Sequence, residues 1–209
     1  MKHLKILALA GALVAATGIA QPVPGPAIAS TESSAPDTAR ALARTDIAKA
    51  LRQGGYVIYF RHTATDFSRT DEAMKDYADC ANQRMLSSLG RSQAREVGQR
   101  ITALKLPVGE ALASPMCRTM ETARLMLGRI TPQNYIREGA SSDYPGLKQL
   151  LAGAVAAGAN RWIVGHGTPF RAVAGAPHLA EGEAAVIRPE GTRWTVVARI
   201  LPDEWAQLK

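Results

Sequence analysis

An α/β fold is the reading that three observations on this 209-residue chain support. Residues 55–60 are a short apolar, β-branched and aromatic run that ends abruptly in Arg61 and His62, the pattern of a buried strand delivering polar side chains to its carboxyl end. Residues 111–113, followed by Ser114 and Arg118, and residues 161–165, followed by His166, repeat that form. Between the runs, apolar residues recur at helical spacing, as in Ala94, Val97, Ile101 and Leu104, so strands alternate with helices. Ligands of open α/β sheets bind beyond the carboxyl ends of the strands. Strands lying side by side therefore bring Arg61, His62, Arg118 and His166 into one electropositive pocket.

Thr45-Asp46 is expected to cap a short helix through Ile47, Ala50 and Leu51 that stops at Gly54-Gly55. After the first strand, residues 63–85 are polar and weakly periodic, a long loop over the pocket. Within it Asn82, Gln83 and Arg84 are candidates for contacting substrate, the alternative being surface or capping roles. An amphipathic helix runs from Gly90, with Arg91, Arg95 and Arg100 off its apolar face, and Leu106-Pro107 ends it. A further helix begins at Arg118, with Ser114 upstream as a candidate cap and Met120, Ala123 and Leu127 as its core stripe. A helix start also favours an anion. Residues 135–137 are expected as a third, weaker strand, residues 143–158 as a helix weakened by Pro145, Gly146 and Gly153, and residues 169–174 as a short helix. Residues 183–188 and 193–200 read as two strands joined by a turn.

Four ordered blocks carry a resemblance: Arg61-His62-Thr63, Leu86-Ser87-Ser88-Leu89-Gly90-Arg91-Ser92-Gln93-Ala94, Ser114-Pro115-Met116-Cys117-Arg118-Thr119-Met120-Glu121-Thr122-Ala123, and Val164-Gly165-His166-Gly167. Together they resemble the histidine phosphatase superfamily, the phosphoglycerate-mutase-like enzymes of branch 1. The resemblance implies a three-layer sandwich with a mostly parallel central sheet flanked by helices, and a phosphomonoester hydrolase that needs neither metal nor cofactor. It also implies His62 as the nucleophile, Arg61 and Arg118 as phosphate ligands, and His166 as a cationic partner of a phosphoryl oxygen. Thr63 stands where the family signature usually has glycine, which places a hydroxyl near the phosphate or crowds a large substrate.

The chemistry asks for the same residue types. Phosphomonoester hydrolysis needs an in-line nucleophile, cations on the equatorial oxygens and an acid for the leaving alkoxide. Neutral imidazole is nucleophilic near physiological pH, and planar guanidinium forks match phosphate oxygens as lysine does not. The resemblance places the proton donor after the third strand, where Asp143 is preferred and Glu138 is the neighbour candidate; Glu183, just past Gly182, is a third candidate and otherwise a substrate contact. Two cysteines and four histidines, without a His-x-x-x-His pair or clustered carboxylates, are a poor ligand set for a metallophosphatase.

Lys and Arg outnumber Asp and Glu, 25 against 18, with no dense basic run or interleaved aromatics. That excess alone is a weak nucleic-acid signal, and a small phosphorylated substrate explains it as well. Residues 1–29 combine a basic start at Lys2 and Lys5, an apolar core and small residues before position 30, as in a secretory signal peptide. The apolar core is short for a membrane span, an uncleaved anchor being the alternative. Residues 30–44 are then a disordered linker and residues 45–209 the phosphatase domain, exported to the periplasm or beyond. In an oxidising compartment Cys80 and Cys117 are expected to form a disulfide, two buried thiols being the alternative. The competing functional reading is a non-catalytic periplasmic protein that holds a phosphorylated ligand.

Overall fold

The computed structural model describes residues 41–209. The expected signal peptide and most of the expected linker lie outside the described residues. The elements are α1 (Arg44–Gln53), β1 (Val57–Arg61), α2 (Ser88–Ala103), β2 (Val108–Ala113), α3 (Cys117–Leu127), β3 (Thr131–Pro132), α4 (Pro145–Ala152), β4 (Asn160–Gly165), α5 (Gly167–Ala174), β5 (Ala184–Glu190) and β6 (Arg193–Ile200). They build one sheet of order β3-β2-β4-β1-β5-β6. Strands β1 to β4 run parallel, whereas at one side β5 is added antiparallel to β1 and β6 antiparallel to β5.

Successive side chains of a strand point to opposite faces, and both faces here are apolar. Ile58, Phe60, Trp162, Val164 and Val186 pack with Ile47 and Leu51 of α1, Val97 and Ile101 of α2, and Met126 of α3. Val57, Tyr59, Ile163, Leu112 and Ile187 pack with Leu147 and Leu151 of α4 and Phe170 of α5 on the other side. The result is a three-layer α/β sandwich in which the central strands are covered on both faces, which is why they read as continuous apolar runs rather than alternating ones. Trp205 near the C-terminus closes the first face, its ring 6.4 Å from Phe60 and 6.2 Å from Trp162. No described helix is long and apolar enough to cross a membrane.

Several local expectations differ from the structure. Arg44 already belongs to α1, and the backbone N–H of Leu42 donates to the Val197 carbonyl, so the C-terminal end of the expected linker is part of the folded domain. The first helix has Ala43 at its cap and no side-chain cap from Thr45 or Asp46. Residues 134–136 are a 3-10 turn, and the strand beside β2 is the two-residue β3 before it. The weak helix shrinks to Pro145–Ala152, because Gly153 leaves the helical region and Pro145 fits only at its start.

Candidate active site

The parallel strands end at one edge of the sheet, and the expected residues leave from there. His62 donates its backbone N–H to the Gly165 carbonyl and Ser114 donates its own to the Val164 carbonyl, so the residues after β1, β2 and β4 lie in adjacent register. Antiparallel β5 begins at the same edge, where Gly182 N–H donates to the carbonyls of Arg61 and His62. The segment after His62 is clamped by the start of α2. The Ala64 carbonyl accepts from Ser87 N–H and from the Ser87 hydroxyl, while Gln93 Oε1 accepts from Ala64 N–H. A Cβ on Gly90 would stand 2.0 Å from that same carbonyl, so only glycine permits the approach. From β1 itself the Tyr59 hydroxyl reaches across to the end of β4, donating to the His166 carbonyl at 2.9 Å and accepting from His166 N–H at 3.0 Å. It reaches them by passing over Gly165, where a Cβ would stand 2.2 Å from it.

The two imidazoles face each other edge to face, ring centroids 5.6 Å apart. Both are buried, at 2% and 1% relative exposure. His62 Nδ1 lies 3.0 Å from the Thr63 carbonyl, an acceptor only, so Nδ1 carries the proton and Nε2 keeps its lone pair. Burial pushes the His62 pKa down to about 3, the Thr63 carbonyl opposes this, and the positive charges of Arg118, Arg61 and Arg84 push further down. His166 is held well below its ordinary value by burial first, then by His62 and the same arginines. The resting pocket thus keeps His166 neutral; Ser114 Oγ lies 2.8 Å from its Nε2, and Nδ1 is buried without a partner among the described residues.

Ser114, expected as a helix cap, therefore serves His166 instead, and Met116 caps α3 without a side-chain bond. Arg118 opens α3 at 1% exposure, and burial lowers its pKa, opposed most by Asp71. Its Nη1 donates to both oxygens of Asp71 at 3.1 and 3.0 Å, and its Nη2 lies 3.7 Å from Glu138. Arg61 donates from Nη1 to the Leu179 carbonyl at 2.7 Å, with Nη2 3.7 Å from Glu181. The Nε atoms of both arginines are buried without a partner among the described residues. Arg84 lies within electrostatic reach of both histidines and Arg118, its guanidinium stacked 4.7 Å from the Phe67 ring centroid. It lines an open cleft of about 510 Å³ with Phe67, Arg69, Thr70, Asp71 and Glu72. A second cleft of about 590 Å³, lined by Met85, Met120 and Tyr77 among others, lies on another face of α3 and includes none of the four core residues.

Three expected site residues stand elsewhere. Asp143 is exposed and makes no hydrogen bond or ion pair with the described pocket, because the chain turns at Tyr144, in left-handed backbone at φ 50, before α4 begins. Glu183 points toward β6, bonded to Arg199 Nε at 2.5 Å and to Ala180 N–H at 2.7 Å. Thr63 is fully buried and its hydroxyl meets Thr122 of α3 at 3.3 Å, so only its carbonyl serves the site, through His62. The sequence reading missed Asp71 and Glu181. Nothing in their local pattern sets them apart, since both reach the pocket through loops. Cys80 and Cys117 are joined in a disulfide that ties the loop of residues 66–85 to the start of α3. Among the described residues no group of three or more acidic, His or Cys side chains could hold a metal ion.

The model of the histidine phosphatase superfamily (branch 1) matches residues 57–169. No curated protein matches the chain. Among solved structures, the protein histidine phosphatase SixA complexed with tungstate superposes with a TM-score of 0.51 at 16% identity, covering 71% of this chain and 97% of that one. A putative phosphohistidine phosphatase SixA from Agrobacterium tumefaciens gives 0.52 at 16% identity, covering 71% and 99%. Mycobacterial hydrolase 1 gives 0.52 at 14%, covering 69% and 97%. At such identities these three speak for the fold alone.

Proposed function

The chain belongs to the histidine phosphatase superfamily, branch 1, and from that premise we propose that it is a phosphomonoester hydrolase acting through phospho-His62. The observation that carries this reading is the His62 ring: Nδ1 held at 3.0 Å by the Thr63 carbonyl, neutral by burial, with Nε2 free of any partner among the described residues. A neutral imidazole fixed in one tautomer beside the buried Arg118 and the partly buried Arg61 is a nucleophile aimed at an anion. Arg61 and Arg118 neutralise the equatorial oxygens, and their orphaned Nε–H groups, with His166 Nδ1 when it carries a proton, are donors that phosphoryl oxygens satisfy. A bound dianion also favours a proton on His166, so the cationic form belongs to the loaded site rather than the resting one.

Of the three carboxylates considered as proton donor, Glu138 alone lies at the pocket, by its contact to Arg118, and is assigned the role. The Nε2 lone pair forms a bond to phosphorus as the ester P–O bond breaks, and the leaving oxygen takes the Glu138 proton. Water then forms a new O–P bond as P–N breaks, returning its proton to Glu138. The apparatus requires no metal ion. Export is part of the proposal: the signal-like residues 1–29 and the disulfide both fit an oxidising compartment, where an as yet unidentified phosphorylated substrate is met.

The test is phosphate release from p-nitrophenyl phosphate in the presence of chelator, comparing the purified protein with His62→Ala. Activity that survives chelation and falls by at least about 10³-fold in the variant is expected. Tight vanadate binding with no turnover in either protein would instead establish the non-catalytic, phosphate-holding reading.

A further inference from the structure

Glu181 is placed at the site by the turn before β5 and does not belong to the four residues or the proton donor. Its Oε1 accepts from the Thr65 hydroxyl at 2.8 Å and its Oε2 from Thr65 N–H at 3.0 Å. Two donated bonds hold the carboxylate fixed. The same Oε1 stands 3.9 Å from His62 Nδ1 and 3.7 Å from Arg61 Nη2. It is too far from Nδ1 for a hydrogen bond, since the Nδ1 proton already serves Thr63. What reaches the ring from Glu181 is charge.

We propose that Glu181 is a positioning residue for the covalent step, its fixed carboxylate stabilising the positive charge that the His62 ring acquires when Nε2 takes the phosphoryl group. The inference rests on the phosphohistidine reading above. Throughout that reaction Nδ1 keeps its proton. The ring is neutral before attack, cationic while the P–N bond stands, and neutral again once water has broken it. In the resting ring burial outweighs the carboxylate, which is not among the main influences on its protonation. The carboxylate matters when charge appears. A full negative charge about 4 Å away in a half-shielded site favours the cation, so it speeds attack on the substrate and slows loss of the phosphoryl group. Thr65 holds the carboxylate rigid, and Gly182, next in the chain, ties the turn to the carbonyls of Arg61 and His62.

This asymmetry separates a charge role from a scaffolding role. Rapid-quench measurements on the purified protein with p-nitrophenyl phosphate, whose leaving group needs no proton, give the rate of the first phenolate burst and the steady-state fraction of phosphoenzyme. Glu181→Gln is expected to slow the burst by about ten- to a hundredfold. Hydrolysis of the phosphoenzyme is unchanged or faster, so the phosphorylated fraction falls. Glu181→Asp, which keeps the charge, recovers part of the burst. Thr65→Val deletes one anchor and keeps the carboxylate, and it shifts the fraction in the same direction by less, a second readout that does not depend on how the glutamine variant folds. Both steps slowed alike, or neither changed, in Glu181→Gln overturns the inference while leaving the phosphohistidine reading intact. A wild-type protein that never carries phosphate on His62 overturns both.

Discussion

Proton positions decide what each charged residue of the pocket can do. His62 is neutral down to about 3, so its own deprotonation does not gate the reaction at ordinary pH. The proton that must be found is the one for the leaving oxygen, and it matters only for leaving groups that are poor as anions. If Glu138 supplies it, Glu138→Gln lowers kcat for an alkyl phosphate by about a hundredfold and for p-nitrophenyl phosphate by only a few-fold. Steady-state kinetics on the two substrates side by side read this, and equal losses on both would remove Glu138 from the role. Why the sequence pointed to Asp143 first is instructive. Arg61, His62 and His166 sit at or beside the ends of buried strands, and Arg118 at the first turn of α3, so their places follow from local pattern plus sheet order. Carboxylates have no such marker. Asp71, Glu138 and Glu181 meet the arginines only because three loops converge, and Glu183 looked equally eligible until β6 supplied Arg199.

At the scale of elements the active edge depends on two attachments that hold loop to helix. The start of α2 grips Ala64, two residues from His62, and the disulfide fixes the loop of residues 66–85 to the first residue of α3. Inside that loop Asp71 holds Arg118, and its Oδ1 also accepts from Arg84 N–H at 2.8 Å. The bridge closes a segment of sequence separation 37, which by chain entropy is worth about 3–4 kcal/mol. Reduction is therefore expected to lower the melting temperature by roughly ten degrees. It should also raise KM, because Asp71 and Arg84 are carried on the freed loop. Thermal unfolding and kinetics with and without reductant, with Cys80→Ser as the permanent form, measure both effects; a reduced protein with unchanged Tm and KM would show the loop to be held by other contacts. The strand and helix periods of α2, α3, β1 and β4 were legible because burial imposes them. The loop of residues 63–85 was legible only as polar and long, since a 3-10 turn at Cys80–Asn82 and the bonds of Gln83 to the Tyr77 carbonyl and the Cys117 N–H are set by tertiary contact.

For the whole molecule, the site carries a stability cost that has a definite pH dependence. His62 and His166 are buried and neutral, with pKa values below the ordinary 6.5 of an unfolded histidine. Below pH 6.5 the unfolded chain binds a proton at each position that the folded protein refuses. The linkage relation then makes stability rise with pH wherever the unfolded state holds more protons. Full stability is present above 6.5 and is lost as pH falls toward about 3, where folded His62 at last titrates. Each ring contributes a slope on the order of 1 kcal/mol per pH unit in that window. Glu204, whose carboxyl is held below its ordinary value by its bond to Arg44, also adds to acid loss, so the histidine part needs isolating. Comparing wild type with His62→Asn does so: the variant should gain roughly 3 kcal/mol relative to wild type between about pH 6.5 and pH 4, read as converging or crossing denaturant midpoints. Parallel curves for the two proteins would mean that the folded ring takes up its proton as freely as the unfolded one. Phosphate bends the wild-type curve the other way. A bound dianion favours protonated His166, so the anion's stabilisation relative to the free protein is expected to grow as pH falls, until the phosphate itself becomes a monoanion. An acid-sensitive fold protected by bound phosphate is thus the molecular-scale counterpart of keeping the His62 ring buried and neutral beside Arg61 and Arg118.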